Sequence, residues 1–304
     1  MDCVCVGNTT IDDVVLPDGT TYMGTFGGDA VYAGLAASHW CDQVGVLAPL
    51  GSDFPKKNVD LLRQRDFDLQ GLISKDYPAL HNWVVYEFDG RRTWIPRNTE
   101  DVFYELSPLY SDVPAEYKTA KSFLVLAIDL RATEDILPKL KQNTAALIGY
   151  DPQEDYITGN KERVLSLLKH VDIFLPSREE VYRLLGTDDY YAAAKKFAEL
   201  GPEVVVVKLD KQGALVYDHK TKCFMEIPIF PVDPIDSTGA GDSFSGAFMS
   251  KFIQSGDLSL AACAGAASAS IAIEGFGTKS LFESTRRQAA LRFETLRKKI
   301  DGLY

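Results

Sequence analysis

The chain has 304 residues, of which 46% are hydrophobic and 25% are charged. This is the composition of an ordinary globular protein, long enough for one large α/β domain or two smaller ones with a core that needs no disulfides. The formal net charge of −11 argues against a nucleic-acid partner, which requires basic surfaces, but a small phosphate ligand remains compatible with it.

The five cysteines indicate a reducing environment. Cys3, Cys5 and Cys263 lie in apolar runs, Cys41 and Cys223 lie elsewhere, and none forms a Cys-x-x-Cys pair. This pattern predicts buried, reduced thiols. The sequence shows no signal peptide, no apolar run long enough to cross a bilayer and no lipidation motif. We therefore expect a cytoplasmic protein without a membrane partner.

The first strand is predicted at Cys3–Gly7, a short apolar run ending in glycine. Asp12 and Asp13 follow it, and polar residues after a strand of an open α/β sheet lie at the edge where ligands bind. A solvated turn explains the two aspartates about equally well.

A glycine pair, Gly27 and Gly28, precedes a helix with small residues on its packed face. Asp29 begins this helix, where an N-cap role is as plausible as a ligand contact. Tyr32, one turn later, adds an aromatic face to the same place.

Two segments rich in β-branched and aromatic residues, 14–26 and 83–94, indicate a small sheet of their own. In the second segment, two alternating runs flank Asp89 and Gly90, a pair typical of a tight hairpin turn.

Strands and helices then alternate regularly, which predicts a parallel sheet with helices on both faces. The predicted strands are 43–50, 122–127, 145–150, 173–176 and 203–209, and the predicted helices are 58–65, 134–142, 163–169, 177–185, 190–200, 261–273 and 288–300.

Polar residues again follow two of these strands. Ser177 and Glu180 have the spacing of a capping box, and Glu180 is also placed to serve Mg²⁺, which uses few carboxylates. Lys208 ends the valine-rich strand and could pair with a phosphate, although an exposed lysine is equally plausible there.

The most informative stretch is Asp236–Phe244, Asp-Ser-Thr-Gly-Ala-Gly-Asp-Ser-Phe, just before an apolar helical pattern. It predicts a glycine-rich turn at a helix N-terminus, where unpartnered amides favour an anion. An aspartate beside a phosphate is unfavourable unless it takes part in chemistry, which makes Asp242 the candidate catalytic residue.

That stretch resembles the C-terminal signature of the ribokinase-like (PfkB) carbohydrate kinases. Further elements match the family in order: Gly7-x-x-x-x-Asp12, Gly27-Gly28, the hairpin, Ser-x-x-Glu at 177–180 and the turn at Gly213. The sequence departs from the family pattern at Asp29, Tyr32, Ser177, Lys208 and Asp210.

The resemblance implies a ribokinase-like three-layer α/β/α sandwich with a central, mostly parallel sheet. It implies one kinase domain over residues 1–304, with a small β-lid formed by about 12–26 and 82–98. In the family this lid covers the sugar and often forms a dimer surface, which implies a homodimer through the lid.

The resemblance also implies transfer of the γ-phosphoryl group of ATP to a hydroxyl of a sugar or sugar-like molecule. Asp242 would accept the hydroxyl proton, and the amides of Gly239, Ala240 and Gly241 would face the phosphoryl oxygens. The implied substrate-binding residues are Asp12, Gly27, Gly28, Asp29 and Tyr32. An ionised Asp29 would disfavour acidic or phosphorylated substrates.

On the donor side, the resemblance implies that Glu180 orients Mg²⁺ and that Lys208 and Gly213 lie near the nucleotide. The adenine would lie against the helix predicted at 261–273 and the loops before it, with Gly275 at the helix end. Some relatives bind K⁺ at the position of Asp236.

Two other functions remain open. A nucleoside kinase of the same superfamily would keep the phosphate turn and stack a base on Tyr22, Phe26, Tyr32 or Trp83. A catalytically silent sensor of sugars or nucleotides is the alternative from outside the enzymes.

Overall fold

The computed structural model describes residues 1–65, 67–88 and 92–301. The strands are β1 (Cys3–Val6), β2 (Thr10–Val15), β3 (Thr21–Gly27), β4 (Val44–Leu47), β5 (Leu50–Gly51), β6 (Ser74–Lys75), β7 (Leu80–Tyr86), β8 (Arg92–Pro96), β9 (Ser122–Val125), β10 (Leu147–Tyr150), β11 (Ile173–Phe174), β12 (Val204–Lys208), β13 (Ala214–Asp218) and β14 (Cys223–Ile227). The α-helices are α1 (Asp29–Ala37), α2 (Lys56–Arg63), α3 (Glu100–Glu105), α4 (Leu130–Asn143), α5 (Lys161–Leu167), α6 (Arg178–Leu185), α7 (Tyr190–Ala198), α8 (Ala240–Ser255), α9 (Leu258–Ala272), α10 (Lys279–Glu283) and α11 (Arg286–Asp301).

The large sheet has eight strands in the order β14-β13-β12-β11-β10-β9-β1-β4. Six neighbouring strands pair in parallel: β12, β11, β10, β9, β1 and β4. Strands β13 and β14 add to one edge as antiparallel strands. The carboxyl ends of the parallel strands therefore meet at one edge, which is where open α/β sheets bind ligands.

Side chains of the central strands are buried on both faces of this sheet. In β1, Cys3 and Cys5 belong to the core beneath α1, α8 and α9, whereas Val4 and Val6 belong to the core beneath α4 to α7. Successive side chains of a strand point to opposite faces, so a continuous apolar run needs a helical layer on each side. The structure confirms the expected mostly parallel sheet with helices.

A second, four-stranded sheet has the order β3-β2-β7-β8. Its two hairpins, β2–β3 and β7–β8, are joined by a parallel pairing of β2 with β7. The sequence predicted the second hairpin and a β-rich segment at the first, but the parallel joint between them is a tertiary contact that no local pattern encodes. The predicted turn at Asp89-Gly90 lies outside the described residues.

The predicted elements are present, with shifts at their ends. The strand expected over 43–50 is divided into β4 and β5, and the strand expected over 173–176 is confined to Ile173–Phe174. Cys3, Cys5 and Cys263 are buried, as predicted, Cys41 is buried as well, Cys223 is exposed, and none of the five is bridged. Within the described ranges, no helix is both long enough and apolar enough to span a bilayer.

Candidate active site

The glycine-rich turn lies where the sequence predicted it, at the N-terminus of α8. Gly239 is the N-cap residue, with φ of +75°. A Cβ at this position would lie 2.2 Å from Cδ1 of Tyr32, so both the backbone conformation and the packed ring require glycine.

Backbone amides at this turn are available to an anion. The amide of Ala240 donates a long 3.4 Å hydrogen bond to the Ser237 carbonyl. No protein acceptor in the described part of the chain takes the amides of Gly239 or Gly241. Asp242 follows in the first turn and is partly buried. The turn thus combines free amide donors, which can bind phosphoryl oxygens, with a carboxylate that can accept a proton.

Asp12 is buried on the inner face of the small sheet, with 3% exposure. Its carboxylate accepts hydrogen bonds from Asn82 Nδ2 at 2.9 Å and Thr10 Oγ1 at 3.0 Å. Burial raises the pKa of Asp12 to about 6, and the negative charges of Asp236 and Asp13 add to this rise.

Asp13 points to the opposite face of the small sheet, because neighbouring strand residues alternate. It accepts hydrogen bonds from the Gly24 amide and from His81, each at 2.7 Å, and lies 3.6 Å from Arg97. Both aspartates are buried, so the solvated-turn interpretation is wrong. Asp12 is the one that faces the proposed site.

Asp29 is the first helical residue of α1, and Gly28 is its N-cap. Asp29 Oδ1 accepts from the amides of Asn8 at 2.5 Å and Ala30 at 2.7 Å. Burial raises the pKa of Asp29 well above its usual range, and repulsion by Asp242 adds to the effect. Because both amides bond Oδ1 and Oδ2 has no partner among the described residues, the effect of Asp29 on acidic or phosphorylated substrates stays a prediction.

Tyr32 lies on α1, its ring packs against Gly239 of the glycine-rich turn, and only 2% of the residue is exposed. Its hydroxyl has no hydrogen-bond partner within the described residues. Burial raises the pKa of Tyr32 well above its usual range, and the charges of Asp236, Asp12 and Asp242 act in the same direction. A buried hydroxyl without a partner costs free energy, and a substrate hydroxyl would remove that cost.

Asp236 joins the small sheet to the glycine-rich turn. Its carboxylate accepts hydrogen bonds from the Tyr86 hydroxyl on β7, from the Thr238 amide at 2.8 Å and from the Gly277 amide at 3.3 Å. Asp236 is 2% exposed. Its contacts hold three chain segments together, whereas the sequence predicted a contact with a cation or the nucleotide.

Only 14% of the Lys208 side chain is exposed, and its Nζ forms an ion pair with Asp151, so the exposed-lysine interpretation is wrong. Asp151 also accepts a 2.8 Å hydrogen bond from Ser245 Oγ on α8. A Cβ at Gly241 would lie 3.3 Å from Lys208 Nζ, so the ammonium group lies directly against the glycine-rich turn. Burial lowers the pKa of Lys208, but Asp151 and Glu180 outweigh it and the pKa is raised.

Glu180 forms the predicted capping box with Ser177: the Ser177 amide donates to Glu180 Oε2 at 2.5 Å, and the Glu180 amide donates to Ser177 Oγ at 3.3 Å. Burial raises the pKa of Glu180 to about 8, Lys208 opposes the rise and Asp151 adds to it. The described residues contain no cluster of three or more metal-ligating side chains, so any Mg²⁺ here would depend on few carboxylates and on phosphate oxygens.

Two residues of the turn after β12, Asp210 and Gly213, have a positive φ. Gly213 has φ of +92°, and a Cβ there would lie 1.9 Å from the Ile227 carbonyl oxygen, so the glycine is required by the chain itself. Asp210 adopts a positive φ of 51°, and its exposed carboxylate lies 4.0 Å from Arg178. A Cβ at Gly275 would lie 2.3 Å from Ser280 Oγ.

Aromatic rings are distributed differently from the sequence prediction. Tyr22 stacks on Phe276 at a centroid distance of 4.0 Å, whereas Phe26 is buried against Phe54 and Phe282. Trp83 pairs with Ile95 on the outer face of the small sheet. Trp94, opposite Val84, shares the inner face with Asn82 and is 40% exposed.

Three contributors were absent from the sequence prediction: Asp151, Asn82 and Tyr86. Asp151 directly follows the strand predicted at 145–150, and this position at a carboxyl end was a usable signal. Asn82 and Tyr86 lie on β7 and reach the site only through the pairing of β7 with β2, which local patterns do not reveal.

Comparisons with known proteins agree with this arrangement. The family model for pfkB family carbohydrate kinases matches residues 2–285. A cytidine kinase of Thermococcus kodakarensis is 28% identical over 83% of this chain and 88% of its own length. The structure of Burkholderia thailandensis nucleoside kinase with inosine has a TM-score of 0.81 at 15% identity and covers 97% of this chain and 98% of that one. A protein from E. coli described as a ribokinase II, solved with ATP and Mg²⁺, has a TM-score of 0.80 at 20% identity, with 97% and 99% covered.

Proposed function

This chain belongs to the pfkB family of carbohydrate kinases, and from that premise we propose that its acceptor is the sugar moiety of a nucleoside. The fold is ribokinase-like. The activity is ATP-dependent phosphorylation of a hydroxyl of a sugar or nucleoside, with Mg²⁺ as the cofactor. The alternative of a silent sensor is not supported, because members of this family are kinases.

The inner face of the small sheet supports a nucleoside over a free sugar. Trp94 is partly exposed on the face that carries Asn82, and the stacked pair Tyr22–Phe276 lies beside the glycine-rich turn through Gly277. Flat aromatic side chains can stack a nucleobase, and a base offers a larger flat surface to them than a small polyol does. The cytidine kinase that this chain resembles is consistent with the same choice.

We assign acceptor binding to Asp12, whose carboxylate can accept from two hydroxyl groups at once. Its inner-face position beside Asn82 puts it opposite Tyr32, whose unpartnered hydroxyl supplies a further contact. Gly27 and Gly28 allow this approach: a Cβ at Gly27 would lie 2.2 Å from Asp12 Oδ2. Asp29 supports the loop at Asn8 from beneath.

We assign proton abstraction to the Asp242 carboxylate. As the acceptor oxygen forms its bond to the γ-phosphorus, the bond to the bridging oxygen of ADP breaks and the hydroxyl proton passes to Asp242. The amides of Gly239, Ala240 and Gly241 face the phosphoryl oxygens, where charge develops. Lys208 adds a positive charge beneath the same turn.

Glu180 and Asp151 fit the chemistry of Mg²⁺, a cation that takes one or two carboxylates and otherwise prefers phosphate oxygens and water. When bound, Mg²⁺ neutralises charge on the β- and γ-phosphates. Gly213 and Gly275 are proposed to border the nucleotide. K⁺ fits less well, because the hydrogen bonds from Tyr86, Thr238 and Gly277 use three of the roughly four acceptor sites of the Asp236 carboxylate. We derive no step through K⁺ and expect equal turnover in KCl and NaCl.

The domain and assembly predictions complete the proposal. We propose one kinase domain in which the small sheet is a lid over the acceptor, because its strand β7 reaches Asp12 and Asp236.

The outer face of the small sheet carries Trp83 and Ile95, the latter 46% exposed, and we propose that a second copy of the chain covers this face. Light scattering of the wild type and of Ile95→Lys tests it: a dimer is expected only for the wild type.

A panel of free sugars, amino sugars and nucleosides, with ADP production as the readout, tests the acceptor. Nucleosides are expected to give the highest kcat/KM, and Trp94→Ala is expected to lower kcat/KM for nucleosides and leave it unchanged for free sugars. A free sugar turned over faster than every nucleoside would overturn the nucleoside proposal but leave the kinase assignment intact.

A further inference from the structure

A cavity of about 380 Å³ lies at the end of the large sheet opposite the candidate active site. Its lining includes Val44, the first residue of β4, and its other lining residues are Ser38, Cys41, Asp42, Gln64, Arg65, Phe67 and Arg286. The active-site residues follow the carboxyl ends of the parallel strands, whereas this cavity lies at an amino end. The cavity has the size of a small-molecule site and no role in the reaction described above.

Two arginines face this cavity. Arg286, at the start of α11, is anchored: Nε donates to the Ser38 carbonyl at 2.9 Å, Nη2 to the Cys41 carbonyl at 2.7 Å and Nη1 to Asp42 at 2.6 Å. These three bonds fix the guanidinium group in place and connect α11 to the end of α1. Two of the five N–H donors of an arginine remain for other partners.

Arg65 is held much more loosely. Its guanidinium group is partly buried, and within the described ranges it makes two long hydrogen bonds of 3.5 Å, to the carbonyls of Ser284 and Leu281. Among the described residues no carboxylate lies within 4.0 Å of it. Most of its five donors are therefore unused in a place where water is partly excluded.

The local electrostatics of the cavity are unfavourable as they stand. Burial lowers the pKa of Arg65, and repulsion by Arg286 lowers it further. Burial lowers the pKa of the nearby His39 to about 4, and the positive charges of both arginines contribute to this shift. Asp42 balances one of the two charges, but its carboxylate is 80% exposed. An anion between the arginines would relieve the repulsion and use the free donors.

We propose that this cavity is a second, non-catalytic binding site for a phosphate-type oxyanion, either inorganic phosphate or the phosphoryl group of a small metabolite, with Arg65 as its principal ligand. Planar guanidinium forks match the geometry of phosphate oxygens and bind them with two parallel hydrogen bonds. The proposal does not depend on which acceptor the kinase uses.

Binding can be measured by calorimetry and by thermal unfolding with inorganic phosphate, and in a second arm with glycerol 3-phosphate, at constant ionic strength set with NaCl. Phosphate is expected to bind the wild type and raise its Tm. Arg65→Gln should weaken binding at least tenfold, and Arg65→Lys should weaken it less because the charge remains. Tighter binding of the ester than of free phosphate would identify a phosphorylated metabolite as the ligand.

Arg163→Gln is the control, because it removes the same charge at an exposed arginine that pairs with Glu134 far from the cavity. It should bind phosphate like the wild type. Phosphate could also occupy the glycine-rich turn, but that binding would survive Arg65→Gln. Unchanged phosphate affinity in Arg65→Gln, or no binding to the wild type above the chloride control, overturns the proposal.

Discussion

The two halves of the candidate active site differ in how their buried carboxyl groups are compensated. On the acceptor side, burial and neighbouring acids raise the pKa values of Asp12 and Asp29, and only hydrogen-bond donors are named among the groups that oppose the rise. On the donor side, Asp151 and Glu180 share the partly buried cation Lys208. The comparison teaches that the acceptor side is suited to hydroxyl groups and the donor side to phosphates with a divalent cation.

Asp242 lies between the two halves, and its replacement should have the largest effect. We expect Asp242→Asn to lower kcat by about 10³-fold, since general-base catalysis contributes on that order. The affinity for ATP, measured by calorimetry, should be unchanged because the amides remain. Asp233→Asn, at an exposed position shortly before the turn, is the control. Near wild-type turnover in Asp242→Asn would exclude the proposed base.

Removing the cation of the donor side should destabilise the protein. Lys208→Met leaves Asp151 and Glu180 buried without a compensating charge, and breaking a buried pair costs about 3 to 5 kcal/mol. Urea unfolding measures this loss. The double variant Lys208→Met/Asp151→Asn should recover part of it. If the single variant were as stable as the wild type, Lys208 would not stabilise the turn.

The ionisation of Asp12 on the acceptor side should appear in the pH profile of kcat/KM. Asp12 must be ionised to accept two hydroxyl groups, and its pKa is about 6. At saturating ATP and Mg²⁺, kcat/KM for the acceptor should therefore fall about tenfold per pH unit below about pH 6. Asp12→Asn should have low activity without this acidic limb. A limb that persists in the variant would belong to another group.

The smallest effect is expected at Tyr32. Tyr32→Phe should raise the acceptor KM roughly three- to tenfold, the value of one hydrogen bond, and should not lower stability because the hydroxyl has no protein partner. Tyr117→Phe is the contrasting control: its hydroxyl bonds the Asp68 carbonyl and the Gly71 amide, so stability should fall and KM should not change. A stability loss in Tyr32→Phe would contradict the assignment.

The sequence by itself determined the elements and the chemistry of the turn. Apolar runs and helical patterns predict the strands and helices, because a sheet that is buried on both faces needs apolar strands and amphipathic helices. The glycines before Asp242 are needed for a positive φ and for close packing. The same local physics identified the Ser177–Glu180 capping box.

Only the tertiary structure decided which side chains meet. Asp151 and Lys208 are 57 residues apart, and Tyr86 and Asp236 are 150 apart, so their contacts follow from strand order and from the β2–β7 joint. Burial also sets the proton affinity of Asp29 and Asp12, because desolvation depends on the surrounding fold and no sequence pattern carries it.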